Sequence, residues 1–163
     1  MPRSFLLTGS NIGDRANYLI QAKDLLVQHV ILEKESSIYE SAAWGDQDQG
    51  HYLNQVLQVS TELSAQDLLK AILNLEQKLD RVRGKKWAAR TIDIDILFYG
   101  NDTINEPGLT IPHPLIAERT FTLAPLAEIA PDLIHPVNGF SMKQMLVKSP
   151  DSGWVKKWED HVA

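Results

Sequence analysis

The chain has 163 residues, of which 44% are hydrophobic and 23% charged, and this composition predicts one globular domain spanning residues 1–163. The absence of cysteine excludes disulfides and thiolate chemistry. A net charge of −5 argues against a general nucleic-acid binder, and no apolar run approaches the roughly 20 residues of a membrane span. We therefore expect a cytoplasmic monomer that acts on small molecules, without nucleic-acid or membrane partners.

The first part of the chain predicts a strand, a helix and two further strands. Residues 3–8 form the first strand, and a turn-rich link over residues 9–14 places Asp14 to cap the helix. Further strands are predicted over residues 31–39 and 52–63, with a polar loop between them.

The second helix is predicted to begin at Ser64 and to end between residues 80 and 84. It runs into a basic segment, in which six of the thirteen residues from 78 to 90 are Lys or Arg and only Asp80 is acidic. Because the rest of the chain is acidic, this local positive charge favours a nucleotide over a polymer. The alternative is a solvated basic loop.

Residues 90–99 form a strongly β-forming run that is interrupted by Asp93 and Asp95. Alternation places both aspartates on one face, and Ile92, Ile94, Ile96 and Phe98 on the other. Neighbouring carboxylates repel each other unless a cation lies beside them, and a hard divalent metal prefers oxygen ligands. With the basic segment, the pair predicts a site for a polyphosphate bound with Mg²⁺. The alternative is a strand whose aspartates face water.

The remainder of the chain is rich in turns, with three prolines between residues 107 and 114. A short helix is predicted over residues 121–129, followed by a polar tail with Trp154 and Trp158. The order β-α-β-β-α-β with a C-terminal extension predicts an α+β, ferredoxin-like fold, in which the helices cover one face of an antiparallel sheet. The other face would be open for ligands.

Several motifs stand in an order and at separations that resemble one enzyme family. They are Gly-Ser-Asn-Ile-Gly-Asp at 9–14, Tyr-Leu-Asn at 52–54, Arg-Val-Arg at 81–83, Arg-Thr-Ile-Asp-Ile-Asp at 90–95 and Ile-Pro-His-Pro at 111–114. Together, from about residue 4 to about residue 136, they resemble the 6-hydroxymethyl-7,8-dihydropterin pyrophosphokinase family of folate biosynthesis. The resemblance implies transfer of the pyrophosphoryl group of ATP to the pterin hydroxymethyl group, with release of AMP.

The resemblance also implies roles for charged residues. Asp93 and Asp95 would hold two Mg²⁺ ions that bridge the ATP phosphates, and Asp95 would also lie against the substrate. Contacts to ATP would come from Arg83, Trp87, Arg90, His113 and Arg119, and the catalytic residues would be Arg81, Arg90 and Asp95. For the arginines, the competing interpretation is a helix-end, strand-end or surface charge. No general base is evident, so a metal-lowered pKa of the hydroxyl and proton acceptance by Asp95 both stay open.

For the pterin, the resemblance implies an aromatic and amide pocket. Tyr52 and Phe121 would stack on the two faces of the ring, and Asn54 would contact its hydrogen-bonding edge. On periodicity alone, Tyr52 and Phe121 are core residues. Ser41, Ala42 and Trp44 lie where the family contacts the pterin through backbone and small apolar groups.

Four positions depart from the family's pattern. Several relatives carry prolines in place of Ala42 and Ala43 and a leucine in place of Trp44, and a proline often stands in place of Ala89, before the arginine. We therefore expect altered rate or affinity rather than another reaction. Two alternative functions are another Mg²⁺-dependent nucleotide-using transferase and a non-catalytic ligand-sensing module. The paired aspartates argue against the sensor.

Overall fold

A computed structural model describes residues 1–42, 51–83, 92–151 and 153–158, except for the side chains of residues 80–83. Within these ranges the elements are, in chain order, β1 (Arg3–Ser10), α1 (Arg15–Leu26), β2 (Ile31–Glu35), β3 (Tyr39–Ser41), β4 (Tyr52–Ser60), α2 (Ala65–Arg83), β5 (Asp93–Tyr99), β6 (Ile104–Glu106), β7 (Leu109–Ile111), a short 3-10 helix (Ile116–Glu118), α3 (Thr120–Ile129), α4 (Met142–Lys148) and β8 (Val155–Lys157).

In the described part of the chain, six strands form one sheet in the order β5-β1-β4-β3-β8, with β2 pairing with β4 beside β3. Every pair in this sheet is antiparallel, so the predicted α+β class with an antiparallel sheet is confirmed. On β1, Gly9 lies opposite Asp93 of β5 and opposite Asn54 of β4. This register places β1 between β4 and β5, the strands that carry the predicted site residues Asn54 and Asp93.

The two faces of the sheet carry different helices. Leu6, Leu53 and Ile94 belong to the apolar core that includes side chains of α1 and α2, whereas Phe5 and Val56 pack with side chains of α3 and α4. The helices α1 and α2 of the predicted β-α-β-β-α-β unit therefore share one face, but the other face, which was expected to be open, is covered in part. Since α3 and α4 have apolar side chains to bury, they cover part of the second face.

The segment predicted as a single strand over residues 31–39 is two strands, β2 and β3, separated at Ser36. The Ser36 backbone N–H donates to the Val56 carbonyl oxygen at 2.9 Å, and the Val56 N–H donates to Ser36 Oγ, also at 2.9 Å. The side chain of Gln55 completes the junction by donating to the Ser36 carbonyl oxygen at 2.8 Å. A serine hydroxyl thus replaces one backbone acceptor, which lets the chain leave the strand without losing a hydrogen bond.

In β5, an extra residue shifts the alternation of side chains. Ile96 and Phe98 pair with consecutive residues of β1, so Leu97 bulges out of the ladder. As a result, Phe98 packs on the α3 and α4 side, whereas Tyr99 joins the core on the α1 and α2 side. The prediction that Phe98 shares a face with the isoleucines is wrong. The two aspartates precede the bulge and keep a common face.

Both predicted helix starts have the expected caps. Asp14 accepts a hydrogen bond from the Asn17 backbone N–H at 3.3 Å, and Ser64 accepts one from the Asp67 N–H at 3.1 Å. The C-terminal tail was predicted only as a polar extension, but it contains α4 and β8, and β8 pairs with β3. Within the described ranges, no helix is both long enough and apolar enough to cross a bilayer.

Candidate active site

A cleft of about 460 Å³ lies on the sheet face that α3 and α4 only partly cover. Nine of the residues predicted from the sequence line it: Ser41, Ala42, Tyr52, Asn54, Asp93, Asp95, His113, Arg119 and Phe121. They come from three strands, from the loop after β7 and from the start of α3. The fold therefore brings together residues that lie up to 80 positions apart in the chain.

The two aspartates line the same wall of the cleft. Asp93 lies opposite Gly9 and Asp95 opposite Leu7, so the carboxylates are two residues apart on the open face of β5. The Asp95 side chain is 42% exposed, and its Oδ2 lies 3.9 Å from His113 Nε2. Asp95 is therefore accessible to a ligand.

A buried glutamate on α2 fixes the strand that carries the aspartates. The Ile94 backbone N–H donates to Glu76 Oε2 at 2.8 Å, and the Glu76 side chain is buried. Because Ile94 lies between the two aspartates, this bond holds the backbone between both carboxylates. Glu76 was not predicted from the sequence, although a carboxylate among the apolar residues Ile72, Leu75 and Leu79 of α2 is an unusual signal.

His113 is held by two hydrogen bonds. Its backbone N–H donates to the Leu97 carbonyl oxygen at 3.0 Å, and its Nδ1 accepts from the Leu115 N–H at 3.1 Å. Since Nδ1 is an acceptor, the proton of the neutral ring resides on Nε2, which faces Asp95. Burial lowers the pKa of His113, and Arg119 acts in the same direction while Asp95 opposes both. The ring can therefore donate a hydrogen bond while neutral.

Arg119 and Phe121 lie at the start of α3. Arg119 has extended backbone, with φ −126° and ψ 105°, and its Cζ lies 5.4 Å from the centroid of the Phe121 ring. Burial lowers the pKa of Arg119, but Asp95 opposes the shift, and a guanidinium stays protonated at neutral pH. The cleft thus has a permanent positive charge opposite its carboxylates.

The other wall of the cleft is polar and tightly packed. Asn54 Nδ2 donates to the Thr8 carbonyl oxygen at 3.2 Å, whereas Asn54 Oδ1 and Ser41 Oγ are buried without a hydrogen-bond partner among the described residues. A Cβ atom at Gly9 would lie 2.6 Å from Asn54 Nδ2, so only glycine leaves room for this amide. Burial raises the pKa of Tyr52, and the charge of Asp93 adds to the effect.

Some predicted site residues are not placed. Trp44, Trp87 and Arg90 lie outside the described residues, as do Ala43 and Ala89 among the departures. Arg81 and Arg83 belong to the last turn of α2, but their side chains lie outside the description.

Four lining residues were not predicted as site residues: Leu7, Gly9, Pro114 and Leu115. Gly9 and Pro114 belong to the motifs at 9–14 and 111–114, and these motifs were a signal from which both could have been predicted as site residues. The position of Leu7 in the cleft could have been predicted from alternation, because Leu7 shares a face of β1 with Phe5 and Gly9.

Comparison with known sequences identifies relatives that all carry the description of one enzyme family. The chain matches the family model described as 7,8-dihydro-6-hydroxymethylpterin-pyrophosphokinase (HPPK) over residues 5–131. A 2-amino-4-hydroxy-6-hydroxymethyldihydropteridine pyrophosphokinase of Aquifex aeolicus is 42% identical over 144 residues, which cover 88% of this chain and 90% of that protein. A protein of the same name from Bacillus subtilis is 44% identical over 128 residues, 77% of each chain.

Solved structures give the same fold. The wild-type HPPK-DHPS of Plasmodium falciparum superposes with a TM-score of 0.71 at 15% identity, over 90% of this chain and 44% of that one. An HPPK-DHPS in complex with substrates also gives 0.71 and is covered to 43%. The chain thus spans less than half of these longer proteins, and at this identity the likeness shows the fold alone.

Proposed function

The chain belongs to the 7,8-dihydro-6-hydroxymethylpterin-pyrophosphokinase family and is an enzyme of the pyrophosphokinase class, and from this we propose that it transfers the pyrophosphoryl group of ATP to the hydroxymethyl group of 6-hydroxymethyl-7,8-dihydropterin, releasing AMP. A folic acid synthesis protein of Pneumocystis carinii, 37% identical over 148 residues, supports a place for this reaction in folate biosynthesis.

The observation that carries the proposal is that two chemically different walls meet in one cleft. Asp93, Asp95 and Arg119 supply charge suited to phosphates and metal, whereas Tyr52 and Asn54 supply an aromatic ring and an amide suited to a flat heterocycle. Phosphoryl-type transfer depends mainly on holding donor and acceptor in line and on neutralising charge. A single cleft with both walls meets these two requirements.

The donor set of the acidic wall fits Mg²⁺. This ion usually takes one or two protein carboxylates and completes its octahedron with water and phosphate oxygens. In the described part of the chain, no group of three or more His, Asp or Glu side chains could enclose a metal, so ATP and water would supply the remaining ligands. Asp93 and Asp95 would hold two Mg²⁺ ions, which when bound neutralise phosphate charge and acidify the substrate hydroxyl.

We assign the ATP phosphates to the positively charged side of the cleft. Arg119 would donate two parallel hydrogen bonds to phosphate oxygens, and His113 would donate from Nε2. Arg83, Trp87 and Arg90 stay in the proposal on their sequence motif as further ATP contacts, as do Arg81 and Arg90 as catalytic residues.

We assign the pterin to the opposite wall. Its ring amino and N–H groups are hydrogen-bond donors, and the buried Asn54 Oδ1 and Ser41 Oγ supply acceptors. Tyr52 and Phe121 would stack on the ring, and Ala42 would contact its edge. Trp44 stays in the proposal on sequence alone.

In the proposed reaction, the hydroxymethyl oxygen attacks the β-phosphorus of ATP. A new bond forms between this oxygen and phosphorus while the bond from the β-phosphorus to the α,β-bridging oxygen breaks, and AMP carries away the electron pair. Asp95, which lines the cleft and is 42% exposed, would accept the hydroxyl proton in this proposal. Arg119 would stabilise the negative charge on the transferred group.

We also propose a domain organisation, an oligomeric state, a cellular location and a fold type for this protein. We propose a single domain over residues 1–163, a cytoplasmic monomer, and a ferredoxin-like core. The last is supported by the strand order β5-β1-β4-β3, in which β2 and β3 occupy the place of one strand beside β4.

The test is to incubate the protein with ATP, Mg²⁺ and 6-hydroxymethyl-7,8-dihydropterin and to follow nucleotides and pterin together. We expect one AMP for each pterin consumed, and no AMP with Asp95→Ala. Asp102→Ala, in the exposed turn after β5, is the matched control and should keep full activity. ADP in place of AMP would indicate another transferase, and ATP binding without turnover would indicate a sensor.

A further inference from the structure

The start of α3 lacks a cap from its own neighbours. Arg119 occupies the N-cap position and makes no capping hydrogen bond with its side chain. The Thr120 backbone N–H instead donates to Asp151 Oδ2 at 3.0 Å, across 31 residues of sequence. The residues on either side of Thr120 are the two cleft residues Arg119 and Phe121. A distant carboxylate therefore caps the turn that presents both of them.

Asp151 is itself held in a defined position. Its Oδ1 accepts from the Gly153 N–H at 2.8 Å, and its own N–H donates to Ser149 Oγ at 3.3 Å. The Thr120 hydroxyl adds a longer contact by donating to the Asp151 carbonyl oxygen at 3.4 Å. Each carboxylate oxygen of Asp151 thus has a backbone donor, which fixes the direction of the cap.

The same segment is also attached to β3, the strand that carries the cleft residue Ser41. Val155 pairs with Ser41 as β8 extends the sheet beyond β3, and the Trp154 ring packs edge-on against His51, with 4.9 Å between centroids. Residues 149–151 and 153–158 therefore connect the start of α3 to the strand that carries Ser41. Cleft residues at the start of α3 and on β3 are therefore both next to contacts made by this segment.

We propose that Asp151 is a positioning residue of the enzyme, which holds the first turn of α3 so that Phe121 and Arg119 face the pterin and the phosphates. This inference rests on the proposed function for its ligands. Asp151 does not line the cleft among the described residues, so it would act only through Thr120. The Thr122 N–H already donates to the Arg119 carbonyl oxygen at 3.1 Å, whereas the Thr120 N–H, at the first helical position, has no acceptor within its own helix. Loss of the Asp151 cap would therefore loosen the helix at Thr120, between Arg119 and Phe121.

The experiment is a double-mutant cycle on pterin binding. The dissociation constant of 6-hydroxymethylpterin is measured by calorimetry with Mg²⁺ and a non-hydrolysable ATP analogue. Asp151→Ala removes the acceptor, and Thr120→Pro removes the donor. Proline is well tolerated at the first position of a helix, and the extended Arg119 backbone suits a residue before proline.

We expect each single variant to weaken pterin binding roughly fivefold, the factor that corresponds to the typical stabilisation of a helix by one N-cap. The double variant should bind no more weakly than Thr120→Pro alone. Thr120→Val keeps the N–H and should bind as the unmodified protein does. Asp132→Ala, at an exposed aspartate elsewhere, should also leave binding unchanged. Loss of global stability alone would not change the dissociation constant of the folded protein.

Unchanged pterin binding in Asp151→Ala, or fully additive effects in the double variant, would overturn the inference. If Asp151→Ala does not fold, Thr120→Pro decides alone, and unchanged binding there would overturn it. Failure of the unmodified protein to bind the pterin would instead overturn the proposed function, so the two failures are distinguishable.

Discussion

The two faces of the sheet differ in how completely they are covered. The face towards α1 and α2 is closed by apolar side chains such as Leu6, Leu57 and Ile72, each no more than 1% exposed. The face towards α3 and α4 is closed only in part, and its uncovered part is the cleft with Asp95 and Asn54. The closed face stabilises the fold by apolar burial. The partly covered face combines apolar packing under α3 and α4 with the polar groups of the cleft, which the folded sheet holds in place.

This division occurs between neighbours in sequence. Ile94 is 5% exposed in the closed core, whereas Asp95 projects into the cleft from the next position of the same strand. On β1, Leu6 likewise lies in the closed core, whereas Gly9 lines the cleft. Substitutions on the two faces should therefore separate activity from stability.

The largest effect is expected for Asp95→Asn on the cleft face. Loss of a carboxylate that we propose to bind Mg²⁺ should lower kcat by at least about 10³-fold, because a neutral amide compensates neither metal nor phosphate charge. The melting temperature should be unchanged or higher, since one of two neighbouring negative charges is removed. Steady-state kinetics and a thermal melt check this, and a kcat within tenfold of the unmodified enzyme would contradict it.

Leu6→Ala on the closed face should have the opposite profile. We expect a loss of about 3 kcal/mol in the free energy of unfolding from the cavity left behind, with kcat of the folded protein close to normal. Urea unfolding and an assay well below the melting temperature measure the two quantities. A large fall in kcat with normal stability would mean that the faces are not independent.

Gly9→Ala tests the packing of the cleft wall. The new methyl group would lie 2.6 Å from Asn54 Nδ2 and should displace the amide, weakening pterin binding by about tenfold. Calorimetry gives the dissociation constant. In an Asn54→Ala background, which removes the clash, Gly9→Ala should cause no further loss, and an equal loss in that background would contradict this mechanism.

The smallest effect is expected at the edge of the partly covered face, where Glu128 of α3 accepts hydrogen bonds from the Ser37 N–H and hydroxyl and from Tyr39. Burial alone would raise the pKa of Glu128, but these bonds and the charge of Lys157 outweigh it and lower the pKa below its ordinary 4.5. Its contribution to stability is thus present above pH 4.5 and lost as the pH falls further.

Glu128→Gln should remove this dependence, so that stability falls less steeply below pH 4.5 than in the unmodified protein. Urea unfolding at several acidic pH values measures the slope. Glu62→Gln, at an exposed glutamate, is the control and should keep the original slope. Equal slopes in all three proteins would rule out the contribution of Glu128.

Much of the fold was predictable because local patterns determine it. The starts of α1 and α2, with caps at Asp14 and Ser64, were predicted from short-range signals. The break at Ser36 and the bulge at Leu97 were not, because each depends on a neighbouring strand that supplies hydrogen bonds across the sheet. Strand β8 was missed for the same reason, since its few residues become a strand only against β3.

The site residues also differ in whether local patterns or contacts between distant segments determine their positions. Asp93 and Asp95 were predicted to share a face from alternation alone, and they do. Their support by Glu76 could not be predicted, since a helix residue and a strand residue 18 positions apart meet only in the folded protein. The roles of Arg81, Arg83, Trp87 and Arg90 stay predictions.

The pairing of β8 with β3 also sets an order of events during synthesis. A ribosome makes the chain from the N-terminus, so β3 and α3 emerge before residues 151–157, which supply the edge partner of one and the cap of the other. Among the described residues, the buried side chains of the closed face end at Ile111, and only the partly buried Trp158 packs against them from further along the chain. In a growing chain, the hydrophobic core can therefore form first, and the cleft is completed last.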